Sequence, residues 1–485
     1  MSKIKGFIGE TLIYGFGNVF SRVFAMILIP FYAAFLGKID YSNLVMLQSL
    51  FTILTFLLAL NSGVFFYYYE YDNAKYRKIV FTSWFYYELA VSITFIVLIA
   101  IFSSYLRNIF IVTSKNTFEL TISLLLVGVQ LIPYVFNNTN INLFRIDRKP
   151  KKVILIVFFE SLFTFCFVYV SLYILNWGLI GVTVSQLVAR IIVSLFFSRT
   201  AKIYLNSKYF SRKLLKKIFL FTWPYFIISI FGWVITSMDK FIGTKVLSDK
   251  TDVAILSLSM QLVIPISVLA DMIRMALGPF IMSIHKDDDA NDTYQKVFDL
   301  SIFASAIVVV LIITVTPTLT LILTDKSFMS VIYVVPLMAF ASIFSLASNQ
   351  FSVGFNLVKK NIYILYATVT AGFVGVLINY FFMHRFGIVV SGVSQILSYF
   401  VLGAILFIWG KRIANLKIKL FNSSIILGFL VAFIALVLYK SHDIFNGQNL
   451  MLFIYSGVTL ITLSLVYFKL ANIQVGMMIK KLLKR

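Results

Sequence analysis

Apolar runs of about 20 residues recur from one end of this sequence to the other, and no other feature limits the fold as strongly. Each run is long enough to cross roughly 30 Å of hydrocarbon as a helix. The composition agrees: 60% of the residues are hydrophobic and 13% are charged, against about 25% charged in an ordinary soluble domain. No charged tail or Gly/Ser-rich linker marks a separate soluble domain. Met1–Lys5 could serve as the basic start of a secretory leader, but the apolar run that follows, 7–36, is too long for one and ends without a small-residue cleavage site. It is read as a retained first span. The single cysteine, Cys166, sits inside an apolar run, which excludes an internal disulfide and a cysteine metal cluster.

Fourteen spans are expected, near 8–36, 43–69, 79–103, 118–143, 153–175, 178–198, 218–247, 252–284, 297–323, 329–358, 362–383, 386–410, 421–439 and 450–468. The net charge of +23 is distributed unevenly across them. Connections on one side of the alternation hold about 30 of the Lys and Arg residues and those on the other about 8, including Lys38, Arg107, Lys245, Lys250 and Arg385. An odd number of spans would scramble that alternation. The positive-inside rule then places both termini in the cytoplasm. The positive charge thus reflects topology, and nucleic-acid binding is excluded as its explanation.

Three pairs of segments recur six helices apart. Asn73-Ala-Lys-Tyr76-Arg-Lys78 pairs with Asn291-Asp-Thr-Tyr294-Gln-Lys296, and Lys151-Lys152 with Lys359-Lys360. Gly178 followed by Ser185-Gln186 pairs with Gly387 followed by Ser394-Gln395. The offsets are about 218, 208 and 209 residues. An even separation in helices means the two halves enter the membrane the same way round, a parallel repeat of the kind found in two-bundle transporters, where substrate binds between the bundles. The predicted organisation is a six-helix lobe over 1–198, a basic linker over 199–217, a second six-helix lobe over 218–410, and two extra helices with a basic tail over 411–485.

Charges inside spans are the candidate site. Arg22, Arg190, Lys240 and Arg274 lie within predicted spans, with Glu10, Glu70, Glu88, Glu160, Asp239 and Asp271 as the acidic groups there or at span ends. Each charge at a helix centre costs about 2.5–3.5 kcal/mol, so these groups should face protein or a wet cavity. Glu10, Tyr14, Asn18 and Arg22 recur every four residues, along one drifting helix face. Ser267, Asp271 and Arg274 form a comparable stripe in the eighth span. The excess of cations points to an anionic substrate, because Arg holds phosphate through paired hydrogen bonds. Arg22, Arg274, Lys240 and Arg190 are the expected substrate-binding residues, Tyr14, Asn18 and Ser267 the polar lining, and Glu10 and Asp271 the candidates for ion coupling. A structural reading competes for each: sealed polar contacts for the two stripes, and snorkelling to the interface for Arg190 and Asp239–Lys240. The aromatic cluster Phe65, Phe66, Tyr67, Tyr68, Tyr69 and Tyr71 suits the membrane interface. The three histidines lack zinc spacing, and phosphate loops and nucleophile elbows are absent, so no metal, cofactor or catalytic residue is predicted.

Four stretches together resemble the polysaccharide transporter family, specifically the Wzx-type O-antigen flippases of the multidrug/oligosaccharidyl-lipid/polysaccharide exporter superfamily. They are Glu10 to Arg22 continuing to Pro30-Phe-Tyr32, Trp223-Pro224 through Asp239-Lys240-Phe241, Gly278-Pro279-Phe280 followed by Tyr294-Gln-Lys296, and Leu377-Ile-Asn379 through Phe386-Gly387-Ile388 to Ser394. The resemblance implies a MATE-like all-α fold in the bacterial inner membrane. It also implies flipping of undecaprenyl-diphosphate-linked oligosaccharide to the outer leaflet by alternating access, with Arg22 and Arg274 on cavity-lining helices. A polysaccharide polymerase and a chain-length regulator are the protein partners it implies. One departure is visible: Ile388-Val-Val-Ser391 stands where the family has small residues before Gly392, which argues against close helix packing there.

Three other readings are open. A multidrug antiporter of the same superfamily would favour acidic cavity residues. A lipid II flippase would share the cavity charge and helix count. A polysaccharide polymerase would need a long outer loop with catalytic groups, and the longest outer connection here, about 104–117, lacks a histidine and a carboxylate pair.

Overall fold

The computed structural model describes residues 24–25, 27–58, 74–110, 117–146, 149–197, 206–270, 290–358, 360–413, 418–441 and 449–470. All regular structure among them is helical. The first helices are α1 (Gly37–Leu58), α2 (Ala74–Ile101), the short α3 (Ser103–Phe110), α4 (Thr117–Val129) and α5 (Leu131–Ile146). α6 (Pro150–Tyr169), α7 (Gly178–Phe196), α8 (Arg212–Val246), α9 (Val253–Leu262) and α10 (Ala290–Leu323) follow. The chain continues through α11 (Val331–Leu357), α12 (Ile362–Phe386), α13 (Val389–Ile413), α14 (Phe421–Tyr439) and α15 (Asn449–Leu470). Helix is the expected outcome, because a backbone group left unpaired in hydrocarbon costs several kcal/mol.

Among the described residues, twelve helical runs are long and apolar enough to cross a membrane, thirteen with one bent pair counted as a span. From the third onward the expected spans map onto these in order, and the described parts of the first two lie in one run, Ile27–Leu58. Gly37 divides that run: its φ of 66° and ψ of 179° fall in backbone space that essentially only glycine occupies. The bent pair is the eighth span, where Val253–Leu262 meets Ile264–Ala270 at 45°. Pro265 accounts for the bend, since its ring removes one helical hydrogen bond and crowds the carbonyl four residues back. Pro133 similarly separates α4 from α5 at Gln130, within one span. The connection expected as an outer loop near 104–117 contains α3, tied to α4 by a hydrogen bond from Arg107 to the Thr121 hydroxyl at 3.2 Å.

The chain divides into two compact units, Met1–Ser257 with Asn379–Arg385, and Leu258–Ile378 with Phe386–Arg485. This division differs from a lobe boundary at 218: α8 clusters with the first unit, where it packs on α1 and α2. Loops assigned by charge to the sparse side do meet at one end of that unit. Lys38 Nζ reaches Asp252 at 2.7 Å and Asp249 at 3.2 Å, Lys245 Nζ donates to the Asn108 carbonyl at 2.7 Å, and His384 Nδ1 lies 3.2 Å from the Val246 carbonyl. At the other end, the Ser211 N–H donates to the Ser83 hydroxyl at 2.8 Å, and the Ser211 hydroxyl in turn caps α8 by accepting from Leu214 N–H.

Asp249 responds to this setting. Partial burial alone would raise its carboxyl, but hydrogen bonds from Thr251 and the Lys38 charge outweigh that and hold it below the ordinary value of 3.8. A depressed folded-state value stabilises above the unfolded value and is lost as pH falls through the folded one. Thermal midpoints of the wild type should therefore fall below about pH 4, and Asp249→Asn should flatten that decline by less than about 1 kcal/mol, because the Asp249 side chain is more than half exposed.

In the second unit, α11 and α13 pack most extensively, and α14 and α15 dock on α10. Gln295 clasps the backbone of Lys419 from both sides, at 2.7 and 2.9 Å. The buried Asp299 carboxylate accepts from Asn422 and Ser423 at 3.2 and 2.9 Å. Thr314 donates to the Ser456 hydroxyl at 2.6 Å, and Phe303 stacks on Tyr467 at 4.1 Å.

Gly178 and Gly387, paired in sequence, both have positive φ, 55° and 67°, and each stands at the entry to a helix, α7 or α13. Ser185 and Ser394, their paired partners, are both buried. Nothing lies within 4 Å of a Cβ built on Gly387, so its requirement is purely conformational. Gly387→Ala should cost about 1–2 kcal/mol in thermal unfolding, and Gly387→Asn less, since asparagine tolerates left-handed backbone.

Candidate functional site

Of the residues predicted to line the site, Glu10, Tyr14, Asn18, Arg22, Asp271 and Arg274 lie outside the described residues, as do Glu70 and the 65–71 aromatic cluster. Ser267 is exposed on the short segment after the α9 bend. Arg190 and Lys240 are fully placed, and each carries a carboxylate partner.

Arg190 projects from α7 into a polar knot within the first unit. Its Nε lies 3.1 Å from Glu160 Oε1 on α6, and another guanidinium N–H donates to Gln130 Oε1. The guanidinium also stacks 4.0 Å from the Phe51 ring centre on α1. Gln130 donates onward to the Thr183 carbonyl at 3.0 Å. Asn137 on α5 donates to both Glu160 Oε2 and the Arg190 carbonyl at 3.3 Å. Four spans therefore meet on one guanidinium. Snorkelling does not describe this residue: its side chain is 17% exposed and aimed into the helix bundle. Lys240 and Asp239 on α8 are both buried, with Nζ 3.8 Å from Asp239 Oδ1. The same carboxylate oxygen accepts the Lys240 backbone N–H at 2.9 Å. Both cations reach the interior in the company of a counter-charge, as the cost of isolated buried charge requires.

A second polar group was only partly legible in the sequence. Glu88, 0% exposed on α2, accepts a hydrogen bond from Asn138 Nδ2 at 3.0 Å. Asn142 donates to Asn138 Oδ1 at 2.9 Å. Glu88 alone was legible as an intramembrane acid. Its partner could have been found from Asn137-Asn-Thr-Asn-Ile-Asn142, a run of amides and a hydroxyl in an otherwise apolar span. Among the described residues no group of three or more His, Cys, Asp or Glu is placed to hold a metal ion.

Apolar surface surrounds these interiors. Leu195, Phe196, Phe421, Tyr439, Ile461 and Leu465 are each more than half exposed, an arrangement suited to lipid rather than water.

This architecture is shared with solved transporters. An inward-facing multidrug resistance MATE family transporter of the MOP superfamily superposes with a TM-score of 0.71 at 14% identity, over 82% of this chain and 95% of that one. The lipid II flippase MurJ in an inward closed conformation gives 0.71 at 14% identity, over 94% and 99%. A MOP superfamily transporter from Pyrococcus furiosus gives 0.56 at 16% identity, over 85% and 95%. At these identities the likeness is one of fold. No curated protein matches the chain. A family model described as polysaccharide biosynthesis protein matches residues 8–285, which covers the polar stripes of the first and eighth spans, the Arg190 knot and Glu88, and the chain belongs to that family.

Proposed function

We propose that this protein is a flippase for lipid-linked oligosaccharide, moving undecaprenyl-diphosphate-linked repeat units of an O-antigen or related surface polysaccharide from the cytoplasmic to the outer leaflet. Membership of the polysaccharide biosynthesis family, on a helical membrane fold shared with transporters, carries the reading. The charge asymmetry supports a bacterial inner-membrane orientation with both termini in the cytoplasm. Two six-helix lobes over 1–198 and 218–410 rock about a central wet cavity, with the linker 199–217 between them and two further helices beyond. The glycan and diphosphate enter the cavity while the lipid tail stays in the bilayer, because a diphosphate in hydrocarbon is prohibitively costly. Arg22 and Arg274 hold the diphosphate or acidic sugars; Tyr14, Asn18 and Ser267 line the path. Arg190 and Lys240 contribute less positive charge there, since each is paired with a carboxylate. The protein acts as a transporter, without catalytic residues, alongside a polymerase and a chain-length regulator.

Deleting the gene should strand the lipid-linked glycan on the cytoplasmic leaflet. Wild type should restore export, and Arg22→Ala or Arg274→Ala should fail to. Normal export with a lost drug-resistance phenotype would replace this reading with an antiporter. Surface delivery of single repeat units without polymer would replace it with a polymerase. The MurJ likeness, over 99% of that chain, favours lipid II as the second substrate to test; arrest of peptidoglycan synthesis on depletion would select it.

A further inference from the structure

We infer that Lys38, Asp249 and Asp252 form an ionic latch that ties the two halves of the sequence together at the end assigned by charge to the outer side, and that the latch must break for that end to open. The contacts that join the predicted lobes there all lie within the first unit. Lys38 Nζ reaches Asp252 Oδ1 at 2.7 Å and Asp249 Oδ2 at 3.2 Å. The Ser42 hydroxyl, one turn along α1, donates to the Thr251 carbonyl at 2.8 Å. Lys245 Nζ donates to the Asn108 carbonyl at 2.7 Å. Each contact pairs a residue of 1–198 with one of 218–410. They hold the outer end of α8 against the first half, with which α8 clusters despite its place in the sequence.

Both sides of the latch are positioned by their own backbone. Gly37, at a φ of 66°, turns the chain immediately before Lys38 and so sets where the ammonium starts. On the facing loop, Asp249 Oδ1 accepts the Thr251 N–H at 2.9 Å and the Thr251 hydroxyl, which leaves Oδ2 for Lys38. The Lys38 and Asp252 side chains are 23% and 28% exposed, so salt screens them less than a fully exposed pair. One ammonium shared by two carboxylates is a small network, and without it the carboxylates repel each other. The contact is also directional. At its other end α8 rests on the first half through Leu214 and Ile218, packed with Val80, Phe81 and Trp84, and apolar packing has no preferred direction. Hydrogen-bonded ion pairs weaken steeply once distance and angle are lost. The outer end of α8 therefore has a made state and a broken state, as a gate requires.

That the latch breaks during transport rests on the flippase reading; that it holds the halves together does not, and the first measurement uses no transport. Spin labels go on Ser104→Cys in α3 and Ser327→Cys between α10 and α11, both exposed. The background is Cys166→Ser, which removes the native thiol, and the full-length chain is held in lipid nanodiscs. Double electron–electron resonance then reads the separation of the labels. With the latch intact, one short separation should dominate. Lys38→Glu, which sets three carboxylates together, should raise the longer-separation population by about tenfold or more. Lys38→Gln should raise it less, and keeps the test in force should Lys38→Glu fold poorly. The charge swap, Lys38→Glu with Asp252→Lys, should restore the short separation, which a merely structural role for Lys38 would not. A distribution unchanged in both single variants, or a swap that stays as open as Lys38→Glu, overturns the latch. In cells, bridging Lys38→Cys to Asp252→Cys with a bis-thiol reagent should stop glycan export, and export that continues while bridged overturns the need for the latch to break. A latch that behaves as expected in a protein that moves no lipid-linked glycan overturns the flippase reading and leaves the latch standing.

Discussion

Arg190→Met is expected to destabilise the protein by about 2–3 kcal/mol, and Glu160→Met added to it to return most of that loss. The single change strips Glu160 of its counter-charge at 3.1 Å and leaves Gln130 Oε1 without the guanidinium it accepts from. A buried carboxylate made lonely costs more than the pair contributed, because its desolvation is no longer offset. The estimate sits below the range for fully buried pairs since the side chains are 17% and 26% exposed. The double variant replaces both charges with packable thioethers, and Phe51 keeps an apolar neighbour in place of the cation at 4.0 Å. Thermal unfolding of both singles and the double, analysed as a cycle, isolates the pair. Unchanged stability with lost glycan export would instead give Arg190 a direct role with substrate.

The second large effect belongs to Gly392. A Cβ placed there would lie 2.5 Å from Leu337 Cβ. That neighbour is fixed to its own backbone, so no rotamer change relieves the clash and α11 and α13 must separate. Gly392→Ala should cost about 1–3 kcal/mol and Gly392→Leu more. Leu337→Ala should not rescue either, because its Cβ remains. Gly428→Ala is the control: nothing lies within 4 Å of its Cβ, and the helix preference for alanine should make it neutral or stabilising. The branched residues before Gly392 argued from sequence against close packing here. The structure overturns that: Val390 and Ser391 are buried, and the approach depends on one glycine rather than on a run of small residues.

Apolar length alone determined that the chain is a bundle of membrane-crossing helices, since a backbone in hydrocarbon has few ways to satisfy its hydrogen bonds. Gly178 and Gly387 were paired in the sequence only as marks of the repeat; that both take the positive φ other residues avoid came from the structure. Which helices touch was beyond the sequence, because a side chain's partner depends on residues far along the chain. Arg190 was visible as an intramembrane cation, but its meeting with Glu160, Gln130 and Phe51 joins positions up to 139 residues apart. Glu88 read as one acid among several until α5 brought Asn138 to it. The count of charges in the membrane is a property of the sequence; whether each is neutralised, stacked or hydrogen-bonded is decided by helix packing, because burial and the distance to a counter-charge set the electrostatic cost.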